Sequence, residues 1–156
     1  MSSETSIDFR GIISGARNNG EYNKIVQVIP YAQLIGMELF DMSTLAGKLQ
    51  PIFLMPKNDH NIGNPTLPAI HGGVVGGFME TSAALHLLMT METQAVPKII
   101  DFSLDYLRAG RHTDTYTSCQ VWRQGKRVAN VAINAWQTDP DQPIATARAH
   151  FLLVQD

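Results

Sequence analysis

A single carboxylate interrupts an otherwise apolar segment of this chain. Glu80 is the only acidic residue between Gly73 and Met91, where Ala, Leu and Met predominate. An ionised carboxylate in apolar surroundings is unfavourable unless it is paired or used, and desolvation raises its pKa toward the range of a general base. Glu80 is therefore a candidate catalytic residue. The alternative is that Glu80 lies at a solvated edge of the segment or bonds to a neighbouring backbone group.

Two glycines stand at the start of this segment, in the run His71-Gly72-Gly73. Glycine permits another molecule to approach the backbone closely, and the first N–H groups of a helix have no internal partner. With the helix dipole, these donors suit an anion or a carbonyl oxygen that gains negative charge. A glycine turn that merely begins a helix is also common. The motif therefore indicates a functional site only in combination with Glu80. His71 fits a turn-stabilising role better than a catalytic one.

The segment that carries Glu80 is predicted to be one long helix. Residues 74–91 span about five helical turns without proline and are apolar all round, so we expect the rest of the fold to enclose them. Phe53, Phe78, Met79 and Met89 are candidates to line a substrate pocket and serve equally well as core.

A sheet of antiparallel strands is predicted to cover this helix. Apolar residues alternate from residue 98 onward, with strands at residues 98–106, 115–123, 127–138 and 144–154. In the last strand Ala145, Ala147 and Ala149 share one face, which would let the helix approach the sheet closely. Upstream, we predict a short helix at residues 31–35 with an extended entry, a strand or hairpin at 38–54, and a loop at 56–68.

The whole chain suits one α+β domain. It has 156 residues, 44% of them hydrophobic and 17% charged, with a net charge of −2 that gives no electrostatic case for nucleic acid. Residues 1–24 are predicted to be a tail or loosely packed segment, and residues 25–156 a single domain. The N-terminus lacks a signal pattern and the apolar runs are too short to span a bilayer, which predicts a cytoplasmic protein without a membrane partner. Cys119 is the only cysteine, and we predict neither a metal nor a cofactor.

An ordered set of motifs resembles one family of enzymes. The run from His71 to Val75, with an acid nine residues after the His, is similar to the motif of the phenylacetate-degradation (PaaI-type) hotdog thioesterases. Further parts of the chain resemble the same family over roughly residues 25–154. They are residues 29–37, which look like its N-terminal helix, residues 101–108, which resemble its first strand after the long helix, and residues 124–126 and 144–147.

The resemblance implies a hotdog fold, in which a curved antiparallel sheet wraps the long helix. It also implies hydrolysis of acyl-CoA thioesters with aryl or short to medium acyl groups, by a homodimer at minimum and commonly a homotetramer. The Gly72 N–H would polarise the thioester carbonyl, with His71 and Gly73 shaping the substrate site. Glu80 of the opposite protomer would activate water or attack the carbonyl itself.

Several positions depart from the family pattern. Many relatives carry Asn or Gln six residues before the motif His, where this chain has Pro65; a one-residue loop shift would let Asn64 serve instead. Helper hydroxyls found in some relatives would fall at Ala84 and Ile99, and both are absent here.

Other polar residues are weaker candidates. Arg108, Arg111, Lys126 and Arg127 include possible contacts to the phosphates of coenzyme A, although basic side chains at such positions are mostly solvated surface. Ser82 and His86 are four residues apart and suggest a nucleophile–base pair, but no acid follows to orient the His. Asp59-His60 weakly suggests a metal, and His150 a structural role.

Two alternatives to a thioesterase remain open. A hotdog hydratase or dehydratase would use a His with a carboxylate, but His60 lies twenty residues before Glu80 and no Pro-Gly pair begins the helix. An acyl-CoA-binding module that senses or regulates without turnover is compatible with the missing helper groups.

Overall fold

A computed structural model describes residues 7–91 and 95–153. The helices are α1 (Phe9–Asn19), α2 (Asn23–Gln27), α3 (Pro30–Leu34) and α4 (Gly72–Thr90), with a short 3-10 helix at Asp59–Asn61. The strands are β1 (Glu38–Leu45), β2 (Lys48–Met55), β3 (Ile62–Asn64), β4 (Ala69–Ile70), β5 (Lys98–Tyr106), β6 (Thr115–Gln124), β7 (Val128–Trp136) and β8 (Ala145–Leu152).

Six strands form one curved antiparallel sheet in the order β1-β2-β6-β7-β8-β5, and α4 packs across it. The predicted hotdog fold is therefore confirmed. Because β5 follows α4 in sequence but pairs with β8 at the far edge, the chain crosses the sheet once and leaves β1 and β5 as the two edges. None of the helices in the described part of the chain is long and apolar enough to cross a membrane.

The long helix is enclosed as predicted. One side of α4 packs through Val75, Met79 and Ala83 against a core that includes the alanine face of β8. Ala145, Ala147 and Ala149 are all buried, and β8 alternates between buried and more exposed positions along its length. Small side chains at alternate positions allow this close contact between helix and sheet, as the sequence predicted. The predicted strand end at residue 154 lies outside the described residues.

Within the part that the structure describes, the segment predicted to be a tail or loosely packed contains a helix. Residues 9–19 form α1, with Asp8 as its N-cap and Gly20 as its C-cap, and Ile13 and Ala16 are buried in a second core cluster against α4. The expected extended entry to the helix at residues 31–35 is also wrong, because residues 23–27 form α2. The apolar residues of α1 and α2 pack against α4, and this packing stabilises both short helices.

A small two-stranded ribbon begins within the predicted loop at 56–68 and leads into α4. β3 pairs with β4, with Ile62 opposite Ile70 and Asn64 opposite Ala69. The ribbon is held to the rest of the fold where the Ile70 N–H donates to the Gly110 carbonyl at 2.9 Å. It thus fixes the point at which the chain enters the long helix.

Candidate active site

His71 builds the entry to α4. Its side chain caps the helix, since Nδ1 accepts a hydrogen bond from the Gly73 N–H at 2.9 Å, and its carbonyl accepts from Val74 at 3.0 Å and Val75 at 3.2 Å. The His71 N–H donates to the Asn61 carbonyl at 2.8 Å. A helix N-cap of this kind satisfies one of the otherwise orphan donors, which supports the predicted turn-stabilising role.

Gly72 keeps a free donor at this turn. Among the described residues, no group accepts a hydrogen bond from its N–H. On its other side, the Gly72 carbonyl accepts from the Tyr106 hydroxyl at 2.6 Å. The first turn of a helix thus presents an unpaired N–H, favoured by the dipole for negative charge, on a residue anchored by a side chain from β5.

Gly63 supports the turn from below, and the sequence analysis missed it. A Cβ at Gly63 would lie 2.8 Å from the His71 Cα, closer than real carbon atoms pack. Glycine is therefore required where the β3 backbone passes beneath the His71 turn. The only sequence signal is a glycine within a strand preceding the motif, which is typical of a close backbone approach.

Glu80 lies two turns further along α4, half-buried at the edge of a pocket of about 150 Å³. Apolar side chains from α4, β5 and β8, from the residue before α3 and from the segment before β5 line this pocket, and Thr81 is its only other polar member. The apolar members are Ile29, Ala84, Leu85, Leu88, Val96, Pro97, Ile99 and Phe151. Glu80 therefore combines partial burial with access, as a general base or nucleophile requires.

The four large side chains considered as pocket residues belong to the core. Phe53, Phe78 and Met79 are fully buried and Met89 is 3% exposed. None of them lines the pocket beside Glu80. The sequence left a pocket role and a core role open for these side chains, and the structure places them in the core.

Tyr31 brings a hydroxyl group to the Glu80 face of α4, which the sequence analysis did not anticipate. Its ring lies against Gly77, three residues before Glu80, where an added Cβ would be 2.8 Å from the ring carbon that bears the hydroxyl. Burial raises the pKa of Tyr31 above its ordinary value, and the negative charge of Glu80 raises that pKa further. The two groups are therefore electrostatically coupled, and the Tyr31 hydroxyl stays protonated at neutral pH.

Asn64 is exposed on the ribbon and has a local role in it. Its side-chain carbonyl accepts from the Thr66 N–H at 3.0 Å and from the Leu67 N–H at 3.2 Å. These bonds close the turn between β3 and β4. A water-positioning role for Asn64 stays a prediction.

The predicted basic residues fall at opposite ends of the sheet. Arg108 directly follows the Tyr106 end of β5, near Gly72, and donates to the Gln142 side chain at 3.3 Å. Lys126 and Arg127 form the turn before β7, whose first residue pairs through β8 with the Lys98 end of β5. Within one chain these cations do not converge.

Comparison with known proteins decides the family. The family model described as the thioesterase superfamily matches residues 67–144, which include the whole of α4 and the strands through β7. A Chromobacterium violaceum protein of known structure is 43% identical, and the match covers 92% of this chain and 96% of that one with a TM-score of 0.70. The chain belongs to the thioesterase superfamily.

Two further solved structures share the fold at lower identity. A Ralstonia eutropha protein described as phenylacetic acid degradation-related is 20% identical, covering 84% of this chain and 98% of that one, with a TM-score of 0.68. Mouse thioesterase superfamily member 2 is 14% identical, covering 86% and 96%, with a TM-score of 0.68. No curated protein matches. Thioester hydrolysis is the reaction to which superfamily membership points.

The Ser82–His86 pair of this thioesterase-superfamily chain is not formed in the structure. Ser82 does not bond to His86: its hydroxyl donates to the Phe78 carbonyl at 2.7 Å and shares a hydrogen bond with Thr117 at 2.6 Å. The Ser–His pair is thus not assembled.

Asp59 and His150, two of the other candidates, each lie beside one ionisable side chain. Asp59 lies 3.1 Å from the His112 Nε2, and His150 Nδ1 lies 3.3 Å from Asp101. Across residues 7–91 and 95–153, no group of three or more His, Cys, Asp or Glu side chains could hold a metal ion.

Proposed function

We propose that this protein hydrolyses acyl-CoA thioesters to free CoA and a carboxylic acid. The observation that carries the proposal is an unpaired N–H at the start of a long helix, anchored by Tyr106, together with a half-buried carboxylate on the same helix at an apolar pocket. A thioester carbonyl needs a donor for its developing negative charge and a base or nucleophile beside its carbon. Gly72 supplies the first group and Glu80 the second.

In the general-base form of the reaction, Glu80 takes a proton from water as the water oxygen bonds to the thioester carbon. The Gly72 N–H stabilises the oxyanion of the tetrahedral intermediate. Its collapse breaks the carbon–sulfur bond, and the proton passes to the CoA sulfur. In the nucleophilic form, the Glu80 carboxylate attacks the carbonyl carbon and CoA leaves as the thiolate, which takes a proton from solvent. Water then cleaves the resulting anhydride, which releases the carboxylic acid and regenerates the Glu80 carboxylate.

One chain alone does not bring these two groups together. Gly72 and Glu80 are eight residues apart on one helix, which places them about 12 Å apart along its axis. An oxyanion donor and a base on the same carbonyl must each lie within roughly 3 Å of their target atoms. The separation supports a site composed of Gly72 from one protomer and Glu80 from another.

The edge strand β5 offers a route to such a site. Ile99, near one end of β5, lines the Glu80 pocket, and Tyr106, at the other end, bonds to Gly72. If two copies pair antiparallel along β5 about a two-fold axis, the Ile99 end of each lies beside the Tyr106 end of the other. Each Glu80 then approaches the partner's oxyanion turn. Pairing would also cover an exposed edge that carries Ile100, which is 56% exposed.

Substrate contacts are proposed around the oxyanion turn. His71 and Gly73 shape this turn for the thioester, since the Gly73 N–H is already bonded to His71. Arg108 lies beside the turn and suits a phosphate of CoA, whereas Lys126 and Arg127 of a second copy would approach the same nucleotide across the paired edges. The pocket beside Glu80, at about 150 Å³, suits an aryl or short acyl group.

Tyr31 supplies the hydroxyl that Ala84 and Ile99 lack. Its position over Gly77 and its coupling to Glu80 fit a donor that holds the attacking water beside the carboxylate. We propose that Tyr31 and Asn64 together position this water.

The test is CoA release from a panel of acyl- and aryl-CoA esters, with Glu80→Gln alongside wild type. Turnover by wild type and its loss in the variant, with retained ester binding, supports the proposal. Full activity in Glu80→Gln removes Glu80 from the mechanism. Ester binding by wild type with no turnover of any ester would establish an acyl-CoA-binding protein instead.

Mixing two inactive variants tests the shared site. Glu80→Gln and Gly72→Pro homodimers should both be inactive, but a mixed dimer combines one intact Gly72 with one intact Glu80 in one of its two sites. Random exchange of subunits should restore about one quarter of wild-type activity. No recovery, after mass spectrometry has verified subunit exchange, would assign both groups to one chain.

A further inference from the structure

The six-stranded sheet opens into a fork at one end. β2 and β6 pair through only four residues each, Ile52–Met55 with Thr115–Ser118. Beyond that point both strands continue, but apart: β2 stays paired with β1 down to Lys48, and β6 stays paired with β7 up to Gln124. The two hairpins therefore diverge, and their facing edges are not bonded to each other.

A cavity of about 730 Å³ fills this fork. One wall is the β1–β2 hairpin from Leu45 to Gln50, the other is β6 from Gln120 to Gln124, and the floor is the C-terminal part of α4 at His86 and Thr90. This volume lies within the range of small-molecule binding sites. Glu80 and its pocket share no lining residue with this cavity.

His86 forms a polar floor that lacks a hydrogen-bond partner. The residue is 3% exposed, and its fully buried Nδ1 has no hydrogen bond among the described residues. Ser82, one turn earlier on α4, is by contrast satisfied by Phe78 and Thr117. Because Nδ1 is closed to solvent, a ligand in the cavity would meet the ring at its other edge, and no side-chain hydrogen bond of His86 occurs there among the described residues either. Buried polar groups are rarely left unpaired, so an unpaired imidazole at the bottom of a cavity points to a ligand.

The imidazole is neutral in the unliganded protein. Burial lowers the pKa of His86 to about 4, so at neutral pH its ring offers one donor and one acceptor. A hydroxyl group, which can donate and accept, matches Nε2 in either tautomer of the ring.

The rim of the cavity is cationic. Lys48 and Arg123 are both exposed lining residues, and neither forms an ion pair within the described part of the chain. No carboxylate is among the residues that line the cavity. Between rim and floor, Leu49 and Val121 provide apolar surface. From rim to floor, the cavity thus presents positive charge, then apolar surface, then a hydrogen-bonding side chain.

We infer that this fork is a second ligand site, for a small aromatic carboxylate that bears a hydroxyl group. The carboxylate lies between Lys48 and Arg123, the ring packs against Leu49 and Val121, and the hydroxyl reaches His86. The site is separate from the Glu80 pocket, so its occupant is neither hydrolysed nor in competition with a thioester.

Calorimetric titration of the full-length protein tests this site, with 4-hydroxyphenylacetate as the probe and phenylacetate as the matched probe without the hydroxyl. Wild type should bind the hydroxylated probe about tenfold more tightly, the equivalent of one hydrogen bond. His86→Phe should abolish this preference. Lys48→Glu, at an exposed position, should weaken both probes by about tenfold or more, whereas Lys57→Glu, outside the cavity, should weaken neither.

Three results would overturn the inference. The first is no binding of either probe at millimolar concentration. The second is binding that is unchanged in Lys48→Glu. The third is displacement of the probe by a non-hydrolysable acyl-CoA analogue, which would place the probe in the Glu80 pocket.

Discussion

Substituting proline for Gly72 removes one hydrogen-bond donor and little else. Gly72 is the first residue of α4, the position where proline is tolerated best, and its N–H makes no hydrogen bond within the described residues. The preceding residue, His71, has φ −56° and ψ 127°, the extended conformation that a following proline demands. The variant is therefore expected to fold.

The size of the effect follows from the role proposed for this N–H. Loss of one oxyanion donor costs roughly 10²- to 10³-fold in kcat, about 3–4 kcal/mol of transition-state stabilisation. Because the charge develops only in the transition state, KM should change little. Stability should stay within about 1 kcal/mol of wild type, since proline restricts the unfolded chain while its Cβ would lie 3.0 Å from the Tyr106 hydroxyl.

Gly72→Ala is the matched control, because it adds the same Cβ beside Tyr106 but keeps the N–H. Steady-state CoA release and thermal melting of both variants separate the two effects. Proline should lose at least tenfold more in kcat than alanine, in line with the loss of a donor rather than a contact. Equal losses in the two variants, or full kcat in Gly72→Pro, would refute the assignment of Gly72 as the oxyanion donor.

Three further predictions concern the neighbouring side chains. Tyr31→Phe should lower kcat by about 3- to 10-fold with KM unchanged, uniformly across the neutral range because the raised pKa keeps the hydroxyl protonated there; a kcat equal to wild type at every pH would exclude Tyr31 from the site. Asn64→Ala should slow turnover by a few-fold in the same assay, and an unchanged rate would leave Asn64 only its turn-closing bonds. For His86, the folded pKa of about 4 lies below the ordinary 6.5, so stability present above 6.5 should decline as the pH falls toward 4, by up to about 3 kcal/mol in urea unfolding; a flat profile would mean that the folded protein protonates His86 freely.

The spacing of apolar residues was sufficient to predict the main helices and strands of this fold. The apolar stretch without proline became α4, the alternating segments became β5 to β8, and the small residues of β8 packed under the helix. These features depend on local pattern, which a sequence displays directly. The helix α2 was missed, and the segment of α1 was expected only as a tail or loosely packed segment, because such short amphipathic runs are stabilised mainly by packing, here of Ile13 and Ile25 against α4.

The residues of the candidate site also fall into those that the sequence could identify and those that it could not. Glu80 and the glycine turn were identifiable from residue type and spacing, since both lie on one continuous segment. Tyr31, Gly63 and Tyr106 were not, because they reach that segment from α3, β3 and β5 and only the folded chain brings them there. A tyrosine in a short helix carries no local sign that its hydroxyl will lie near a carboxylate far along the chain.

The glycines of α4 are better explained by these contacts than by the helix. Glycine in a helix interior costs about 1 kcal/mol relative to alanine, yet Gly76 and Gly77 both lie within the first two turns. At Gly77 a Cβ would overlap Tyr31, and at Gly76 it would lie 3.2 Å from Leu104 of β5. The helix thus forgoes stability so that α3 and β5 can approach it on two sides. Since those elements bring Tyr31 toward Glu80 and Tyr106 onto Gly72, the glycines of α4 are part of the site's architecture.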